Sequence, residues 1–184
     1  MSAIAALWLP ILLSAVAVFF LSYMMWMVFP HHKGDWPKVK SEDDLMEAIA
    51  KLKVAPGQYS FPFCKGAEDM KDPQFIARME KGPAGMLLIR PTGPMNMGKT
   101  MGVSFGYNLI IGIFVAYIAS FGLAASSTFS EVFRLTGTVA FLGFAGALGW
   151  NPIWFCRSWS STFREILDGL AYGLVTGAIF ASLW

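Results

Sequence analysis

Residues 3–29 read AIAALWLPILLSAVAVFFLSYMMWMVF, a run without one charged side chain. About 20 consecutive apolar residues suffice to cross the hydrocarbon core of a bilayer as a helix. Inside that core the backbone must satisfy its own hydrogen bonds, so few folds other than a membrane-spanning one can hold such a run. A cleaved secretory signal is the competing reading, and three features oppose it. No Lys or Arg precedes the run, the run is too long, and Pro30-His31-His32-Lys33 follows where small residues should mark a cleavage site.

Three further apolar stretches follow, at 104–124, 132–155 and 163–184. Charged residues make up only 14% of the chain and hydrophobic ones 55%, against roughly 25% charged in a soluble domain. Too few charges remain to cover the surface of a soluble fold, and a disordered, collagen-like or disulfide-stapled chain is excluded as well. The net charge of +2 is too small for nucleic acid to be the main partner.

Residues 30–103 differ: they hold eleven of the fourteen basic and nine of the twelve acidic residues. Ser41, followed by Glu42, Asp43 and Asp44, predicts a capped helix start, and Leu45, Ile49 and Leu52 give it one apolar face. A turn at Pro56-Gly57 leads to a short strand over 58–61, stopped by Pro62. Asp72-Pro73 predicts a second helix with Asp as N-cap, Phe75, Ile76 and Met79 as its apolar face, and Gly82 at its end. Residues 86–89 read as a second strand. Thr162 and Glu165 have capping-box spacing at the start of the last apolar stretch. The expected fold is therefore membrane α-helical: transmembrane helix 1 in 1–29, a small soluble α+β domain in 30–103, and a three-helix transmembrane bundle in 104–184.

Cytoplasmic loops carry an excess of Lys and Arg near helix ends. With Arg134 alone on the opposite side, thirteen basic residues fall on the side of the 30–103 domain. That domain is expected to be cytoplasmic and both termini outside. Trp150, Trp154 and Trp159 should mark a membrane–water boundary.

Several motifs carry possible chemistry. Gly93-Pro94-Met95-Asn96-Met97-Gly98-Lys99-Thr100 satisfies the G-x-x-x-x-G-K-T pattern of a phosphate-cradling loop. It opens a membrane span rather than a helix of a parallel sheet, so no nucleotide is expected, and Lys99 is read as a partner of headgroup phosphates. His31 and His32 are candidate metal ligands with Cys64, although adjacent side chains need ligands from elsewhere to close on one ion. Cys156 is a further candidate. Met24, Met25, Met27 and Met95, Met97, Met101 could interest a soft ion, but Met more often fills gaps between apolar helices. Asp168 is the ionisable residue nearest a span centre, about one turn inside the last helix, and Arg164 four residues earlier suggests a local pair. No catalytic residue is predicted, because no hydrolase constellation is present.

Small residues at four-residue spacing define packing faces. Gly169, Gly173, Gly177 and Ala181 form one, Gly112, Ala116, Ser120 and Ala124 a second, and Gly143 with Ala147 a third. Such stripes let backbones approach closely where the hydrophobic effect contributes nothing between helices.

The order of one span, His-His-Lys-Gly-Asp-Trp, Pro-Gly-Gln-Tyr, and Met-Gly-Lys-Thr leading into three spans resembles a group of uncharacterised bacterial four-span integral membrane proteins. The resemblance implies a bacterial cytoplasmic (inner) membrane and brings no catalytic residues. The expected function is a non-enzymatic accessory subunit of a larger membrane complex of respiratory or photosynthetic type, in contact with lipids and with other subunits or further copies. An oligomeric transporter or channel is one alternative. A metal-handling protein using the His31-His32 region is the other. No cofactor is predicted, and bound lipid is expected.

Overall fold

The computed structural model describes residues 3–184; residues 1 and 2 of the expected first segment lie outside the described residues. The chain is mostly helical. Among the described residues, four helices are long and apolar enough to cross a membrane: Trp8–Val28, Met97–Gly122, Phe129–Trp154 and Trp159–Ser182.

The chain divides into two compact units. The first holds the spans and runs over 1–35, 96–153 and 157–184. The second comprises Trp36–Met95 and Trp154–Cys156. The ends of the expected 30–103 segment, residues 30–35 and 96–103, fall in the spanning unit. Residues 30–35 stay with the spans because their side chains bond to the last helix, and residues 97–103 form the first turns of a span.

The first unit opens with α1 (Ala3–Ala6) and α2 (Trp8–Tyr23). A wider π-helical turn, Met24–Val28, extends α2, and a 3₁₀ turn, Pro30–His32, follows it. The unit continues with α5 (Met97–Gly122), α6 (Phe129–Ala145), α7 (Trp150–Trp154) and α8 (Trp159–Ser182). Caps place the starts of these helices earlier than the hydrophobic runs suggest. Asn96 caps α5 by accepting the Lys99 N–H at 3.0 Å. Ser158 caps α8 by accepting the Ser161 N–H at 3.2 Å. The expected Thr162–Glu165 capping box does not form: the Thr162 hydroxyl donates to the Ser158 carbonyl at 3.1 Å, and Glu165 pairs with Arg157.

A capping box does start α6. The Thr128 N–H donates to Glu131 Oε2 at 2.7 Å, and the Glu131 N–H donates back to Thr128 Oγ1 at 3.4 Å. Thr128→Ala is expected to lower stability by about 1 kcal/mol, read as a lower thermal midpoint of the purified protein in detergent; an unchanged midpoint would remove the cap from the stabilising set.

The helices meet around Ile11, Ile111, Val115, Ala116, Val132, Ala140 and Phe180, all buried. Phe180 is the largest fully buried side chain. The closest approach is between α6 and α8. A Cβ added to Gly177 would lie 2.9 Å from the Gly137 Cα, and one added to Gly173 would lie 3.0 Å from the Gly137 carbonyl oxygen. Gly169 faces Ala145 in the same way, and Ala181 is packed against the core cluster. On α5, Gly112 abuts Ile11 and Ala116 is fully buried, whereas Ser120 is only partly buried and turns its hydroxyl to the Tyr117 carbonyl. Gly143 meets the Ile111 side chain of α5, and Ala147 is exposed beyond the end of α6.

The second unit contains α3 (Glu42–Lys51), β1 (Gly57–Phe61), α4 (Pro73–Lys81) and β2 (Gly85–Ile89). The strands pair antiparallel, with Tyr59 opposite Leu87. Asp72 caps α4 through the Gln74 N–H at 3.0 Å, and Gly82 ends it at a φ of 61°, where glycine avoids a Cβ clash. Ser41 precedes α3 but makes no side-chain cap, so the three acids of the first turn carry that helix start. Leu45 and Leu52 of α3 are exposed.

Candidate metal centre

The π-helical turn and the 3₁₀ turn set the site. In the first, the Phe29 N–H reaches back to the Met24 carbonyl at 2.9 Å. This wider turn carries Trp26 over the next loop, and its ring stacks on His32 with centroids 3.9 Å apart and planes 7° apart. Such turns recur at functional sites because they re-aim side chains that a regular helix would space evenly. Pro30 opens the 3₁₀ turn, and the Asp35 N–H closes on the His32 carbonyl at 3.0 Å. Adjacent residues His31 and His32 are thereby both turned toward α8.

The facing wall is one stripe of α8. Ser161, Arg164 and Asp168 stand at i, i+3 and i+7, on one face of the helix. Because α8 starts at Trp159, Asp168 lies about two and a half turns inside it rather than one. The favourable dipole of a helix N-terminus has faded at that depth. The local Arg164–Asp168 pair expected from their spacing is not what forms. Arg164 turns to Asp35, with its Nε donating to Oδ1 at 2.9 Å and a second bond from its terminal nitrogen to the same oxygen. The Ser161 hydroxyl also donates to that oxygen, at 3.0 Å.

Asp168 instead accepts from both histidines. His31 Nε2 lies 3.0 Å from Oδ1, and His32 Nε2 lies 2.7 Å from Oδ2. His32 Nδ1 donates to Asp35 Oδ2 at 2.7 Å. Both ring nitrogens of His32 thus face carboxylates, which suits an imidazolium. Burial pushes its pKa down, but the hydrogen bonds to Asp168 and Asp35 and their charges outweigh burial and raise it. For Asp35, burial pushes the pKa up, but His32, Arg164 and Ser161 outweigh it and hold it down at about 2. Arg164 and His32 face the two carboxylates, so the buried ionic groups are paired.

The same side chains meet the requirements of a metal site. His31, His32 and Asp168 each offer one ligand atom, and these atoms lie within 4.8 Å of one another. His31 Nε2 and His32 Nε2 approach different oxygens of the Asp168 carboxylate, whereas ligands bound tetrahedrally at 2.0–2.1 Å stand about 3.3 Å apart. The His32–Asp35 bond is the supporting contact that metal-binding histidines usually make, because it fixes the ring and its tautomer. Asp35 stands close behind the histidines in the sequence, but Asp168 was not grouped with them. The polar stripe of α8 was the available signal, but nothing in the sequence names the loop it faces.

Cys64 belongs to the second unit, and its thiol donates to the Gly66 carbonyl at 3.2 Å. Both cysteines are free thiols and line one cavity of the second unit, with Met70, Met79 and Met86. Met24 and Met27 in the π-helical turn, and Met95, Met97 and Met101, are exposed. In the stretch 93–100 the Lys99 N–H, a donor that a phosphate loop would aim at its ligand, is taken by the Asn96 side chain, and the Thr100 N–H bonds to the Asn96 carbonyl. The chain matches no protein-family model, no curated protein and no solved structure.

Proposed function

We propose that this protein is an integral membrane metalloprotein that binds one divalent transition ion, best suited to Zn²⁺, through His31, His32 and Asp168. The observation that carries the reading is the convergence of three ligand atoms, with Asp35 oriented behind His32 and held by Arg164 and Ser161. Two histidines and one carboxylate make a three-ligand set. Structural zinc sites are closed by four protein ligands, whereas three leave a position for water or substrate. An ion there supplies Lewis acidity and lowers the pKa of a bound water. The ligand set favours a hydrolytic or ligand-exchanging role over a purely structural one.

An accessory-subunit role was expected partly because the span centres lack ionisable groups, an absence that counted against an oligomeric channel. Asp168, two and a half turns inside α8, weakens that ground. Neither role has a focal observation of its own here, so the metal reading takes precedence. For sidedness we keep the orientation that the basic residues favour, with the His31-His32 loop at the cytoplasmic end of the bundle.

The test is metal content. The full chain, purified in mild detergent, exposed to Zn²⁺ and desalted, is expected to retain one equivalent by elemental mass spectrometry. His31→Ala with His32→Ala should retain none, and Cys64→Ala should match the wild type. X-ray absorption of the loaded wild type should show nitrogen and oxygen neighbours without sulfur, a readout that does not depend on the variants folding. A wild type that retains no metal, or whose metal is bound by sulfur, rejects the proposal.

A further inference from the structure

Within the spanning unit, a cavity of about 580 Å³ opens between α2, α5, α6 and α8. Most of its wall is apolar, including Val18 of α2, Val103 of α5 and Phe144 of α6. Among the described residues, three polar side chains of α5 that line it, Lys99, Ser104 and Asn108, make no hydrogen bond or ion pair. Lys99, in the first turn, has no ion pair among the described residues. The Asn108 residue is more than nine-tenths buried, and its side chain makes no hydrogen bond among the described residues, although it lines the cavity. An occupant that can bond to this amide is favoured over a purely apolar one. Lys99 and Asn108 are about 13 Å apart along the helix axis. A cation at the end of the span, a polar amide deeper in, and an apolar wall around them match an amphiphile with an anionic head.

We propose that this cavity binds one anionic phospholipid, with its phosphate at Lys99, its ester oxygens toward Asn108, and an acyl chain along Val18, Val103 and Phe144. The Gly93–Thr100 stretch then serves a phosphate through its lysine side chain rather than through a nucleotide-type backbone cradle. The proposal does not require a metal ion, although Trp26, which stacks on His32, also lines the cavity.

Native mass spectrometry of the full chain in neutral detergent tests it, with phosphatidylglycerol and phosphatidylcholine as probes. The wild type should retain one phosphatidylglycerol in preference to phosphatidylcholine. Lys99→Gln should weaken phosphatidylglycerol retention roughly fivefold, the worth of one basic group near an anionic lipid, and leave phosphatidylcholine unchanged. Ser104→Trp, which fills the cavity from an exposed position, should remove both lipids. If that variant does not fold, Lys99→Gln decides alone. Equal retention of the two lipids by the wild type, no effect of Lys99→Gln, or displacement by excess inorganic phosphate would each overturn the proposal.

Discussion

Asp168→Ala is expected to remove bound Zn²⁺ completely and to destabilise the protein by about 3–5 kcal/mol, the usual cost of breaking a buried ion pair on one side. The side chains of His32 and Asp168 are only 4% and 5% exposed, so water cannot replace the lost carboxylate. His32 would keep Asp35 on one nitrogen and face an apolar void with the other. Asp35→Asn is the informative partner variant. It leaves the three proposed ligands in place but weakens the orienting bond to His32, and such supporting contacts are worth about 10–100-fold in metal affinity. Zinc titration and thermal unfolding of the two variants separate the roles. Loss of stability with zinc retained in Asp168→Ala would leave the cluster as an ionic clamp and remove the metal site.

Gly177→Leu is expected to force α6 and α8 apart. The added Cβ alone would lie 2.9 Å from the Gly137 Cα and 3.0 Å from the Phe133 carbonyl oxygen. Both obstacles are backbone, which cannot rotate away as a side chain can. Overpacking usually costs about 1–3 kcal/mol, and a backbone collision at the closest helix pair belongs at or above the top of that range. Gly106→Leu is the matched control, because a Cβ there meets nothing within 4 Å. The Gly177 variant should aggregate or unfold at markedly lower temperature in detergent, while the Gly106 variant behaves as the wild type. Equal behaviour of the two would show that the α6–α8 approach does not limit stability.

The spans were legible in the sequence because a bilayer imposes one length and one composition on every crossing segment. Asp72-Pro73 was legible as a helix start because N-cap chemistry is local. Ser41 and Thr162 show the limit of the same reasoning: each has the right residue type, but the first makes no cap and Ser158 displaces the second. The site was harder for a related reason. Arg164 and Asp168 have the spacing of a local pair, yet each takes a stronger partner from the loop after the first span. Spacing along a helix identifies which side chains share a face. It does not identify what that face meets. Gly137 was missed likewise, since its small size matters only once Gly173 and Gly177 lie against it.

The polar cluster joins residues separated by 126 to 137 positions in the chain. Ribosomes add about 5–20 residues per second, so its two halves emerge roughly 6 to 27 seconds apart. During that interval His31, His32 and Asp35 stand at the membrane boundary without Arg164 or Asp168. They are solvated or held by other components until α8 enters. Insertion of the last span therefore brings the second carboxylate and the guanidinium that complete the cluster. A chain stopped before Arg164 leaves Asp35 with His32 as its local partner and without the Ser161 and Arg164 bonds.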